Sequence, residues 1–132
     1  MDWRQVLPPL CRSRIETRFV PAGEDLPAGS SKFGGRPDVP AGFVWPVFET
    51  KTFDGEEGKP RPLAFLAQFD CARLAELDPE GLLPRTGLLS FFYELGSQRW
   101  GYDPKDAGCA RVFWFDGEPV APAEFPRDLE ED

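Results

Sequence analysis

PLAFLAQFD, residues 62–70, alternates along its length. Leu63, Phe65, Ala67 and Phe69 fall on one face, and Ala64, Leu66, Gln68 and Asp70 on the other. A period of two is the pattern of a β-strand, in which successive side chains point to opposite faces. Asp70 then opens CARLAEL (71–77), a short helix with Leu74 and Leu77 turned inward. An aspartate suits its N-cap, and Asp78-Pro79 stops it. GLLSFFYEL (87–95) predicts another strand, with Leu89, Phe91, Tyr93 and Leu95 as its apolar face. ARVFWFD (110–116) predicts a further one, and RIETRFV (14–20) sets Ile15, Thr17 and Phe19 against Arg14, Glu16 and Arg18. Residues 2–12 suit a short helix ended by Pro8 and Pro9. Strands near 14–20, 63–69, 87–95 and 110–116, joined by turn-rich connections, predict an α+β domain: a mainly antiparallel sheet with short helices and long, ordered Pro/Gly-rich loops.

The chain has 132 residues, enough for one domain (1–132) that buries about two-thirds of its unfolded surface without a disulfide or metal. Fifteen prolines and 13 glycines accompany 12 phenylalanines and four tryptophans, so rigid turns between aromatic-rich strands fit better than disorder. Residues 117–132 are acidic and poor in core material, as a frayed tail would be. The net charge of −8 argues against a nucleic-acid backbone and favours a basic protein or cationic ligand. There is no histidine, which removes the commonest general base and metal ligand. The three cysteines, Cys11, Cys71 and Cys109, form no CxxC pair. No metal and no cofactor are expected, and the reduced thiols suit a cytoplasmic protein. No apolar run is long enough for a membrane span or signal peptide.

The most distinctive stretch is SSKFGGRPDVPAGFVWP (30–46). A flexible linker would waste the burial of Phe33, Phe43 and Trp45, worth about 1.5–3 kcal/mol each. It reads as a rigid wrap in which Gly34 and Gly35 give positive φ or close backbone approach and the aromatics are pinned to the sheet. The other reading is an anion nest made by the Gly34 and Gly35 amides with Ser31, Lys32 and Arg36 beside them. A Pro-Ala-Gly tripeptide recurs at 21–23, 27–29 and 40–42, each copy a tight turn with Pro second and Gly fourth. TFDGEEGKPRP (52–62) is an exposed loop or hairpin tip. It lacks the spacing of a phosphate-binding loop.

Gln68 and Asp70 share a face of a half-buried strand, so each must find hydrogen-bond partners. They fasten the 30–36 loop by accepting from its backbone amides or cap the next helix, or else they line a polar pocket with Asp70 as acid or base. Cys71, at a helix start without a histidine, reads as structural. Arg99, Trp100 and Tyr102, in SQRWGYDPKD, have the composition of a protein-binding hot spot. Packing across the sheet edge would account for them equally well.

Three ordered elements, SKFGGRPDVPAGFVWP, PLAFLAQFD and LPRTGLLSFFYE, resemble the YwqG-like family, a bacterial domain of unknown function. Its pattern runs Ser-x-x-Gly-Gly-x-Pro, Pro-x-Gly, Trp-Pro, then Phe-Leu-x-Gln-apolar-Asp, then Gly-x-Leu-x-Phe-Phe. Ser31, Gly34, Gly35, Pro37, Trp45, Pro46, Gln68, Asp70, Gly87, Leu89, Phe91 and Phe92 stand at its positions. Cys71 departs from it, replacing an aliphatic residue. The resemblance covers residues 30–93 and implies a mixed α and β fold rich in antiparallel strands. Members run about twice this length, so it implies a short or partial member matching their first half. Some members neighbour secreted-toxin genes and look like immunity proteins. The functional expectation is therefore a cytoplasmic, non-catalytic protein-interaction module of immunity or antitoxin type with a basic partner. The alternative is a small hydrolase or ligand-binding protein built around Gln68 and Asp70.

Overall fold

A computed structural model of the chain describes residues 2–10, 12–23, 25–50 and 59–129. In order these form α1 (Trp3–Val6), a 3-10 turn (Pro8–Leu10), β1 (Lys32–Phe33), β2 (Asp38–Pro40), β3 (Val47–Thr50), β4 (Lys59–Pro62), β5 (Ala64–Asp70), α2 (Cys71–Ala75), β6 (Leu88–Tyr93), a second 3-10 turn (Pro104–Asp106), β7 (Ala110–Phe115) and β8 (Val120–Pro122). A four-stranded sheet has the order β1-β5-β6-β7, and β2-β8 and β3-β4 make two-stranded ribbons. Every pair is antiparallel, so the chain has a sheet-rich α+β fold with few, short helices.

A β-bulge at Leu66 organises the centre of the sheet. Phe65 pairs with Phe92, but Ala67 pairs with Phe91, so Leu66 is the extra residue. A single inserted residue transfers everything beyond it to the opposite face. Gln68, opposite Ser90, and Asp70, opposite Leu88, therefore share the core face with Phe65 and Phe92. Unbroken alternation would set them against Phe65. The same register buries Leu88, Ser90 and Phe92 of β6, while Leu89, Phe91 and Tyr93, the expected core face, are only half-buried. The core joins Phe48, Leu63, Phe65, Phe92 and Cys109, with Phe43, Trp45, Tyr93 and Phe113 packed around it. Trp45 meets Phe92 edge-on at 5.4 Å and donates its indole N–H to the Leu63 carbonyl at 2.8 Å. The wrap is thus fixed by a polar bond as well as by area.

Residues 14–20 are not a strand. They run as irregular, mostly exposed chain, and the Phe19 ring meets Phe33 of β1 at 4.6 Å, tilted by 50°. Alternation shows that a segment can be extended, but a strand also needs a neighbour with free backbone groups, and β1 is only two residues long. The strands expected near 63–69, 87–95 and 110–116 are β5, β6 and β7.

Two Pro-Ala-Gly copies turn one residue later than expected. Ser30 N–H bonds Pro27 O and Phe43 N–H bonds Pro40 O, so proline is first and glycine third. Gly29 (φ 85°) and Gly42 (φ 81°) supply the positive φ that a type II turn needs at that place. Gly34 and Gly35 also have positive φ, and Gly34 N–H bonds the carbonyl of the bulged Leu66 at 2.9 Å. The double-glycine turn therefore docks on the bulge. Of the 52–62 segment, Lys59–Pro62 pairs with β3 as one arm of a hairpin, and residues 51–58 lie outside the described residues. Within 117–132, Val120–Pro122 pairs with β2, Phe125 lies 6.1 Å from Trp45, and residues 130–132 are outside the described set.

Candidate functional site

The bulge carries Gln68 into the interior, where its side chain is 0% exposed. Its amide donates to Ser30 O at 2.8 Å and to Asp38 Oδ2 at 2.7 Å, and its Oε1 accepts from Asp38 N–H at 2.9 Å. Asp38, also buried, accepts further from Gly29 N–H at 3.0 Å and faces the Lys32 ammonium at 3.6 Å. A buried carboxylate needs such company, because an unpaired charge in low dielectric is costly. One glutamine thus ties β5 to both ends of the loop from Ser30 to Asp38. All of its hydrogen-bonding capacity except one amide lone pair is spent internally.

Asp70 points the other way along the chain. Its carboxylate accepts from Ala72 N–H at 3.1 Å, the N-cap bond of α2, and its own N–H donates to the Ser31 hydroxyl at 2.8 Å. Ser31, Asp70 and Arg73 line a shallow recess of about 530 Å³ with the Leu26–Ser30 turn. Gln68 does not line it. Lys32 is committed to Asp38, and Arg36 reaches outward to Glu124 at 2.7 Å. Of the two amides that a nest would use, the Gly34 N–H is already committed to the Leu66 carbonyl. Cys71 is wholly buried, and that burial, with Asp70 and Asp116 nearby, raises its thiol pKa. Among the described residues, no group of three or more His, Cys, Asp or Glu is placed to hold a metal ion.

At the opposite end of the sheet, the chain leaves β6 in a loop fixed from beneath by buried acids. Glu94 accepts from Gly96 N–H at 2.7 Å, from Ser97 N–H at 2.8 Å and from the Ser97 hydroxyl. Tyr93 donates its hydroxyl to Arg99 O at 2.6 Å, and burial raises its phenol pKa. Asp106 accepts from Gly101 N–H at 3.1 Å and pairs with the Arg99 guanidinium at 3.4 Å. The backbone around residues 96–101 is thus held at four points, while Trp100 is 88% and Tyr102 84% exposed. Neither aromatic packs across the sheet edge. Arg99 does not stand with them: its side chain is mostly buried against Asp106.

Sequence reading missed the three acids that build these sites. Asp38 sits in the proline-rich run Pro-Asp-Val-Pro, and Glu94 falls in the predicted strand 87–95 on the face opposite Leu89, Phe91, Tyr93 and Leu95, where a carboxylate reads as solvated. Asp106 sits in a Pro-Lys-Asp turn. Each is buried by partners far off in sequence or by a loop folding back, which local spacing does not encode. Among the described residues, no helix is long and apolar enough to cross a membrane.

Searches of curated proteins and of solved structures returned no significant match. Residues 31–131 match the family model described as a domain of unknown function, DUF1963, beginning at the serine that bonds the Asp70 backbone. That match spans about three quarters of the chain, which therefore belongs to the DUF1963 family.

Proposed function

We propose that the chain is a YwqG-like, non-catalytic protein-interaction module of the immunity or antitoxin type, which works in the cytoplasm by binding a basic protein. The observation that carries this reading is the pair Trp100 and Tyr102, almost fully exposed on a backbone fixed by Glu94, Tyr93 and Asp106. Large aromatics held on a rigid loop lose little entropy on docking, which is the property of binding anchors. The −8 charge supplies steering toward a basic surface. The enzyme alternative has less support, because Gln68 is sealed from solvent and Asp70 is occupied with its helix cap.

The test is a pull-down from the native host with the wild type and Trp100→Ala, each retained protein being identified. A basic protein retained by the wild type and depleted by the variant supports the reading. Equal retention, or a hydrolytic turnover abolished by Asp70→Ala in a stable protein, overturns it.

A further inference from the structure

A second recess, of about 470 Å³, opens between β3 and the chain that joins the second 3-10 turn to β7. Val47, Phe48 and Glu49 line one side, and Lys105, Gly108 and Arg111 the other. Phe48 belongs to the core, so it gives the recess a fixed apolar floor. A Cβ at Gly108, whose φ is 95°, would lie 3.7 Å from Phe48 Cδ2, so the glycine leaves room beside the ring. Both cations stand on fixed parts of the structure. The Arg111 guanidinium lies over the Phe113 ring at 5.3 Å, and that ring is held edge-on by Phe43 and Phe92. Lys105 stands in the 3-10 turn, which the bonds from Asp106 N–H to Asp103 O and from Ala107 N–H to Pro104 O close. Among the described residues neither cation forms an ion pair, although the chain has 23 acids to 15 bases. The nearby acids are occupied elsewhere. Asp103 accepts from the Lys105 N–H at 2.9 Å, and Asp106 holds Gly101 N–H and Arg99. Glu49 lines the recess and pairs with neither cation.

We infer that this recess binds a small organic carboxylate that also carries an N–H or O–H donor, as amino and hydroxy acids do. The carboxylate goes to Arg111 and Lys105. A guanidinium presents a planar fork of donors that matches two carboxylate oxygens, and an ammonium adds a compact charge beside it. Because Arg111 is already stacked on Phe113, it loses little freedom when the ligand arrives. Glu49, with its oxygens uncommitted, accepts from the donor group of the same molecule. The two cations and one acid leave the lining with a single positive charge, which one carboxylate neutralises. A phosphate dianion would carry surplus negative charge against Glu49. The −8 of the whole chain does not oppose this binding, since exposed charges farther than about 8 Å are screened at physiological salt.

Amide chemical shifts of the isotope-labelled full chain, titrated at pH 7 with free glycine, lactate, acetate and inorganic phosphate, test it. Glycine and lactate are expected to give saturable shifts centred on Lys105, Gly108 and Arg111. Acetate, which lacks a donor, and phosphate are expected to bind more weakly. Arg111→Gln, at an exposed position, is expected to weaken lactate binding about tenfold, with the spectrum otherwise that of the folded protein. Lys105→Gln, also exposed, provides the same reading through the other cation. Glu49→Gln separates the two roles: acetate is expected to bind more tightly and glycine more weakly. Trp100→Ala is expected to change none of these affinities, so the recess and the proposed protein partner stand or fall separately. Shifts that fail to saturate, or that centre elsewhere, overturn the inference. So does phosphate binding more tightly than the carboxylates, wild-type affinity in both cation variants, or a Glu49→Gln effect of the same sign on acetate and glycine.

Discussion

Gln68→Leu removes the side chain that fastens β5 to the loop while keeping nearly the same volume. Three groups lose a partner: the Asp38 N–H, the Ser30 carbonyl and one bond to Asp38 Oδ2. The carboxylate retains Gly29 N–H and Lys32, so its loss is small, but the other two are left without the amide. An unsatisfied buried polar group costs about 1–3 kcal/mol, which gives about 3–5 kcal/mol in all. A domain of this size has about 5–15 kcal/mol of stability, so the variant should still fold but melt about 10–20 °C lower. Urea unfolding followed by tryptophan fluorescence reads the difference directly. Gln68→Glu gives a sharper check on the geometry. At pH 7 a carboxylate would face Asp38 Oδ2 where the amide now donates at 2.7 Å. Repulsion and burial would raise the folded pKa of the introduced carboxyl group above its unfolded value near 4.3. The folded state then favours the protonated form, so the deficit is present at neutral pH and shrinks as pH falls toward 4. A loss below about 1 kcal/mol for Gln68→Leu would refute the fastening role, as would a Gln68→Glu deficit that does not change with pH.

Asp70→Ala removes a helix cap and should lower stability by about 1 kcal/mol in a urea titration. Gly87→Ala should be far worse, because an added Cβ would meet Trp114 Nε1 at 2.5 Å and Phe115 O at 2.6 Å with φ at 91°. Circular dichroism should show a loss of about 3 kcal/mol or more, or failure to fold. Burial raises the pKa values of Cys71, Cys109 and Tyr93, so the folded state holds their protons more tightly than the unfolded chain. Their contribution is intact below the unfolded thiol value near 8.5 and declines as pH rises through the folded values. Melting temperature should therefore fall as pH rises above about 8.5, with much less change from pH 6 to 8.

The sheet was legible where side-chain pattern and pairing agree. The segments at 63–69, 87–95 and 110–116 carry enough aliphatic and aromatic residues to become strands in any sheet that gives them neighbours. The 14–20 segment has the alternation without a neighbour, so its pattern misleads. The bulge at Leu66 has no local signature in PLAFLAQFD, yet it decides which face Gln68 occupies and which face of β6 becomes core. Gln68 and Asp70 are recognisable as polar groups needing partners because buried polarity is visible in composition. Their partner Asp38 is not, since it lies 30 residues from Gln68. Trp100 and Tyr102 stand open between two readings that only the loop's attachment separates. That attachment comes from Glu94 and Asp106, whose burial depends on the loop closing over them.

Titration calorimetry of the captured basic protein against wild type and Trp100→Ala tests the central claim most directly, with a melting curve for each. A true anchor on a fixed loop should lose about 2 kcal/mol, a Kd about 30-fold weaker, with the melting temperature unchanged. Equal affinity in the two proteins, or weaker binding only because the variant has unfolded, would contradict it.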